Sequence, residues 1–249
     1  MGGDATSLSA GTTDGMQPAG GTGQEVLAVR LSELARTLQH QQDLTQTLEG
    51  IVHAAVETVP GAEQASISAV ERRQEVQTLA ATSELSRAVD RAQYETEQGP
   101  CLSTLYDRVT ERLPDLAADE RWPAFSSRAA ALGVGSMLSV RLFVEGDELG
   151  ALNLLSRSPG AFGDESEHVA LLFASHAAVA LVGAGERARL QEAMSSRDLI
   201  GQAKGILMER FKITSDQAFL LLVRTSQDSN RKLRVVAEEL ASTGQLPRG

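Results

Sequence analysis

Apolar positions along the chain follow two periodicities, and the places where one gives way to the other mark out its architecture. Between residues 25 and 59 they recur at helical spacing (Val26, Val29, Leu31, Leu34 and Leu38, then Leu44, Leu48, Ile51, Val52 and Val56). This predicts one or two amphipathic helices, ended by Pro60-Gly61. The spacing then shortens. "ASISAV" (65–70) and "VQTLAA" (76–81) alternate as strands do, and the charged stretch Glu71–Glu75 joins them as a hairpin. "SELSRAVDRAQ" (83–93) returns to helical spacing, with Ser83 as N-cap. Gly99-Pro100 opens a short helix, a strand over 109–115 stops at Pro114, and a helix over 121–133 ends at Gly133. "SMLSVRLFVEGDELGALNLLS" (136–156) is the clearest β signal, two apolar strands around Glu145-Gly146-Asp147.

From Asp164 to about Arg210 nothing interrupts a helical pattern. Leu172, Val179, Ala193, Ile200 and Leu207 fall on a seven-residue repeat, with Glu186 as its polar exception. That repeat predicts a homodimer through the 164–210 helix, with packing on its own domain as the alternative. Two shorter helices follow. One is capped by Thr214 or Ser215, with Ala218, Leu221 and Leu222 on one face. The other begins near Asn230 and buries Leu233, Val236, Ala237 and Leu240. Residues 1–24 carry seven glycines and no periodicity, so they are expected to be disordered. The order of elements predicts an α+β fold: an antiparallel sheet with flanking helices, a long connecting helix and a C-terminal three-helix unit. The expected divisions are 25–185 for the sensor-type domain, 186–196 for a coiled-coil-like helical linker, and 197–249 for the helical unit.

Composition narrows the function. The 249 residues are 42% hydrophobic with a net charge of −10, which opposes a generally basic surface. The balance is uneven: residues 197–249 hold nine basic and six acidic residues, a net of +3, leaving −13 for the rest. Cys101 is the one cysteine, so a reducing compartment is expected. It follows Gly-Pro at a helix start, where a thiol can be acidified. No basic neighbour accompanies it, and the expectation is a small buried residue. Four scattered histidines give no metal-ligand spacing, and neither a metal nor a cofactor is expected. "MGGDAT" formally fits a myristoylation pattern but lacks a basic cluster to assist an anchor. The apolar run Val169–Gly185 is shorter than the ~20 residues that span a bilayer. The chain is therefore expected to be cytoplasmic and free of membrane. No phosphate-binding loop, dinucleotide fingerprint, metalloprotease or serine-hydrolase motif is present, so no catalytic residue is assigned and no enzyme is expected.

The chemistry concentrates in the last fifty residues. Lys204, Arg210, Arg231, Lys232 and Arg234 fall on polar faces. Arg231-Lys232 are expected in the first turn of the last helix, against the helix dipole, where a phosphate would explain them. "SQDSN" (226–230) before them is polar and turn-forming, suited to base edges or riboses. "LIGQAKGILMER" (199–210) places Gly201 and Gly205 inside a helix, each at a cost of about 1 kcal/mol relative to Ala. Close helix packing or close approach of a nucleic acid would justify them.

Residues 195–243 closely resemble the ANTAR domain. The family's Ala-x-Gly-x-Leu-Met run stands here as Ala203-Lys204-Gly205-Ile206-Leu207-Met208, with later matches at Ala218, Leu222, 226–233 and 236–237. Gly201 lies outside that core pattern, and packing across a dimer seam near Ile200 is its expected role. Residues 28–185 look like a GAF domain, and "QYETEQGPCLSTL" (93–105) is similar to the Gly-Pro-Cys stretch of GAF domains that precede ANTAR domains. The resemblance implies an RNA-binding transcription antitermination regulator. Its dimeric ANTAR unit would bind paired hairpins in nascent RNA, with the GAF domain as sensor or dimerisation module. No receiver domain is recognisable ahead of the ANTAR segment, so the signal would come from a small GAF ligand or a change in dimer packing. The expected RNA-binding residues are Gln202, Ala203, Lys204, Gly205, Ser226, Gln227, Asn230, Arg231, Lys232 and Arg234. The alternative is a DNA-binding regulator, although Gln227–Asn230 lacks the Gly usual in a helix-turn-helix joint.

Overall fold

A computed structural model describes residues 32, 36, 43–71, 75–144 and 147–246. The expected disordered tail and, apart from Ser32 and Arg36, the expected helix before residue 43 lie outside the described residues. Helix α1 spans Leu44–Thr58, capped by the Asp43 carboxylate, which accepts the Gln46 N–H at 2.8 Å. Strands β1 (Gln64–Glu71) and β2 (Glu75–Ala81) form the expected hairpin. Helices α2 (Glu84–Thr96), α3 (Pro100–Tyr106) and α4 (Pro123–Ala131) and strand β3 (Thr110–Leu113) come next. Strands β4 (Ser136–Val144) and β5 (Asp147–Ser156) close the sheet. Its order is β2-β1-β5-β4-β3, antiparallel throughout.

Helices cover both faces. On one side α1 and the start of a long helix, α5 (Asp164–Phe211), bury Ile51, Val52, Ala170, Phe173 and Ala177. These pack on Ile67, Leu138, Val140, Leu152 and Leu154 of the strands. Each such fully buried large side chain is worth about 1.5–3 kcal/mol. On the other side α2 and α4 bury Val89, Phe125 and Ala129 against Met137 and Leu155. The alternate strand residues there are polar. Ser66, Ser68, Ser139 and Asn153 point into this second layer and are fully buried, although alternation alone would send them to solvent.

The long helix runs unbroken for 48 residues. Asp164, Glu165 and Glu167 sit in its first turn, favourable to the helix dipole, and Lys212 ends it in the left-handed conformation at φ 52°. Its apolar stretch is long and apolar enough to cross a membrane by composition, but Val169, Ala170, Phe173, Ala174 and Leu181 are buried in the sheet domain. The last turns of α5 pack with α6 (Ser215–Asp228) and α7 (Leu233–Thr243) around Ala203, Leu207, Ala218, Leu222, Val236, Ala237 and Leu240. Thr214 is the α6 N-cap, in a reciprocal capping box with Gln217.

Two expectations change. The last helix begins at Leu233, not near Asn230, so Arg231 and Lys232 precede it. The seven-residue repeat is not a single line on the helix surface. A straight helix turns such a repeat by ~20° per heptad, or about 100° from Leu172 to Leu207. Val179 is accordingly 66% exposed, whereas Leu207 is fully buried in the chain's own three-helix core.

Candidate nucleic-acid interface

The three-helix unit carries all ten of the expected site residues, and its packing sorts them. Ala203 is fully buried among Leu207, Leu222 and Ala237. It supports the surface from behind and offers no side chain to a partner. Ser226 is also committed: its hydroxyl donates to the Arg231 carbonyl at 2.5 Å, and the Arg231 N–H donates back to the Ser226 carbonyl at 3.1 Å. With Asn230 left-handed at φ 50° and its N–H on the Gln227 carbonyl, the 226–231 segment is a closed helix-terminal turn.

The cations divide in the same way. Arg231 pairs with Glu239 at 2.6 Å, and Arg234 with Glu192 at 3.7 Å and Glu238 at 3.9 Å. These two arginines tie α7 to itself and to α5, so their guanidiniums are partly neutralised already. Lys212 pairs with Glu209 and Arg224 with Asp228. Among the described residues of this unit, Arg197, Lys204, Arg210 and Lys232 have no ion-pair partner. Lys232 occupies the N-cap position of α7, exposed, so the dipole conflict expected of a first-turn lysine is moved one residue outward. Gln202, Gln227 and Asn230 are exposed.

Neither helical glycine is explained by packing within the chain. A Cβ added at Gly201 or at Gly205 would meet nothing within 4 Å. A tight helix joint behind Gly205 is thereby excluded. Gly201 opens onto a groove of about 440 Å³ lined by Ala193, Ser196, Arg197, Ile200, Lys204 and Phe219. Gln202 and Gly205 are exposed on α5 outside that lining. The sequence reading missed Phe219 and Arg197. The available signal was that Phe219 and Leu220 stand off the Ala218–Leu222 face and so leave large apolar side chains outward, 39% and 65% exposed.

These observations meet the comparisons with known proteins. The model of the GAF domain matches residues 41–182, more than half of the chain, and that of the ANTAR domain matches 188–240. The chain belongs to the GAF family and carries an ANTAR domain. The GAF domain of a phosphoenolpyruvate-protein phosphotransferase from Coxiella burnetii aligns at TM-score 0.52 and 17% identity, over 68% of this chain and 99% of that one. Free methionine-R-sulfoxide reductase from Neisseria meningitidis, in complex with its substrate, aligns at 0.53 and 16%, over 68% and 95%. The phytochrome photosensory core module of Stigmatella aurantiaca aligns at 0.57 and 12%, over 87% and 46%. At these identities the likeness is one of fold. No curated protein matches. GAF and ANTAR domains are regulatory domains, and the ANTAR domain implies RNA-binding antitermination with the GAF domain as sensor.

Within the GAF domain the buried polar residues form a connected cluster. Asn153 Nδ2 donates to Asp90 Oδ1 at 3.0 Å and to Ser68 at 3.1 Å, and Ser139 donates to Asn153 Oδ1 at 2.8 Å. Thr78 donates to Asp90 Oδ2 at 2.8 Å, and Tyr94 to Ser68 at 2.6 Å. Burial pushes the Asp90 carboxyl up to about 6, against the pull of its hydroxyl and amide donors. Cys101 lies beside this cluster, at the start of α3, fully buried. Burial first and the Asp90 charge second push its thiol up to about 12. It is a packed residue rather than a reactive one, as expected. Gln93 Oε1 accepts the Cys101 N–H at 2.9 Å and leaves Gln93 Nε2 buried without a partner. A Cβ at Gly99 (φ 134°) would lie 2.4 Å from that same oxygen, which is why glycine precedes Pro100. Among the described residues, no three His, Cys, Asp or Glu side chains gather as a metal site.

Two outcomes follow from this geometry. A carboxyl raised from 3.8 to about 6 holds its proton in the folded protein where the unfolded chain has lost it. Its contribution to stability is present at low pH and is lost as pH rises from about 4 through about 6, by on the order of 3 kcal/mol. Urea unfolding at pH 4.5 and 7.5 should show Asp90→Asn gaining on the wild type toward pH 7.5; a pH-independent difference would refute the assignment. Gly205→Ala meets no obstacle in the chain and should raise stability by about 1 kcal/mol. If a partner approaches the helix there, the same variant will bind RNA more weakly while melting higher. Calorimetry and a binding titration on one preparation separate the two effects.

Proposed function

We propose that this protein is a non-enzymatic cytoplasmic regulator that binds paired stem-loops in nascent RNA through a dimeric ANTAR domain and prevents an overlapping terminator from forming. The observation that carries the reading is the ANTAR match over 188–240, on a three-helix unit whose Gly201, Gly205, Lys204 and Lys232 face outward. We place the working divisions at 25–185 for the GAF domain, 186–196 for the helical linker and 197–249 for the RNA-binding unit. Gln202, Lys204, Gly205, Gln227, Asn230 and Lys232 form the contact surface. Ser226, Arg231, Arg234 and Ala203 hold it in shape. A small ligand of the GAF domain, or a change in dimer packing, supplies the signal.

The dimer reading rests on α5. Leu172, Val179, Leu190 and Met194 are 36%, 66%, 66% and 69% exposed. They follow an eleven-residue spacing rather than a continued heptad: Leu172, Gly183 and Met194, alongside Val179 and Leu190, with the contact ending short of Gly201 and Gly205. Eleven residues close on about three turns of a straight helix, so these positions stay in one line where heptads drift. Two copies meeting along this line bury otherwise exposed apolar side chains and deliver two ANTAR units to two hairpins, raising affinity through effective concentration.

Competition between a paired-hairpin RNA and duplex DNA of equal length tests the reading: preference for the duplex would favour a DNA-binding regulator instead. Lys232→Ala should weaken binding to every hairpin and reduce the salt slope by about one. Met194→Lys should convert the dimer to a monomer in sedimentation with the helical signal retained, and unchanged sedimentation would rule out this seam.

A further inference from the structure

Phe219 is a large aromatic residue left outside the three-helix core, and its surroundings are those of a ligand site. Phe219 is 39% exposed, and the Lys204 ammonium lies 6.0 Å from its ring centroid. The groove beside it runs along α5, with Arg197 and Lys204 on its wall and Gly201 opening it. Its volume of about 440 Å³ falls in the ~300–1,000 Å³ range of small-molecule sites. Its lining holds two cations and no carboxylate, in a chain whose net charge is −10. Cation and aromatic together, beside a backbone with no side chain, are the components that bind an unstacked base between two phosphates.

We propose that this groove receives one base of a single-stranded RNA loop. The base stacks on the Phe219 ring opposite or beside the Lys204 ammonium, and Arg197 and Lys204 neutralise the flanking phosphates. The inference rests on the RNA reading and deepens it: Phe219 supplies affinity that no phosphate contact can, and Gly201 is kept small so that the base and its sugar can approach the helix. This replaces the expectation that Gly201 packs across a dimer seam near Ile200, because Ile200 is half-buried in the three-helix core. A second copy fits the groove poorly, since a two-fold contact centred here sets Arg197 and Lys204 against their own symmetry mates.

The test uses the full chain and a two-hairpin RNA carrying 2-aminopurine at one loop position at a time, with a single-stranded oligonucleotide of the loop sequence as a second probe. Wild type should quench one loop position strongly. Phe219→Leu keeps an apolar side chain outside the core. It should bind about tenfold more weakly, lose that quench and keep the salt slope. Lys204→Gln should keep the quench and lower the slope by about one. If wild type binds the hairpins and Phe219→Leu binds and quenches equally, the groove holds no base. If Phe219→Leu instead turns a dimer into a monomer in sedimentation, the occupant is a second copy and the proposal falls. If wild type binds the single strand with quenching but no hairpin, the groove stands and the hairpin reading falls; binding to neither probe removes both.

Discussion

The structure depends on one helix serving two hydrophobic cores at once. The first turns of α5 close the GAF sheet through Ala170, Phe173 and Ala177, and its last turns supply Ala203 and Leu207 to the ANTAR core. The backbone ladder between is continuous over 48 residues, so no loop absorbs a rotation or shift of one end relative to the other. A helix with both ends packed and its middle open is a mechanical link. It also explains why the exposed apolar line exists. The inward side is used twice, and the opposite side is left as a run of Leu, Val, Met and Gly positions with nothing from the chain's own described residues to cover it.

The GAF layer that faces α2 and α3 is unusual in being polar where it is most deeply buried. Asp90, Asn153, Ser66, Ser68 and Ser139 have no access to solvent. They satisfy one another across four elements, so each depends on the placement of the rest. Such a network specifies how the helices sit on the sheet, at an electrostatic cost that falls on the single carboxylate with no cation to match it. It lies on the face opposite the one that holds α5, with only the sheet between. The strands that carry the polar layer on one face carry the α5 contacts on the other.

Much of this was legible in the chain itself. The strand and helix order from residue 43 onward, the Ser83 cap, a cap at Thr214 or Ser215, the turn at Gly133 and the unbroken helix after Asp164 all follow from local periodicity and capping chemistry. These are near-neighbour effects and need no distant contact. The ANTAR motif was likewise readable, because a contiguous run of residues carries it. What local periodicity does not reveal has a common source. Ser66 and Ser68 alternate as solvent-facing residues do, and only the arrival of α2 and Asn153 from far along the chain makes them interior. The heptad through Leu172 and Leu207 is real in sequence but crosses the helix surface, and only packing reveals that its two ends face different environments.

By itself the sequence determined the secondary structure, the division into a mixed domain and a helical unit, and the chemistry available at the end of the chain. Composition and spacing act locally, and they place Gly201, Lys204 and Gly205 on a helix without reference to anything else. Tertiary structure decided which of the charged and polar residues are available. Arg231 and Arg234 lost their freedom to Glu239, Glu238 and Glu192, Ser226 to the Arg231 carbonyl, and Ala203 to the core, while Phe219 was turned out beside Lys204. An ion pair or a buried contact is a property of two positions. One position's identity cannot announce it until the fold has brought the other within reach.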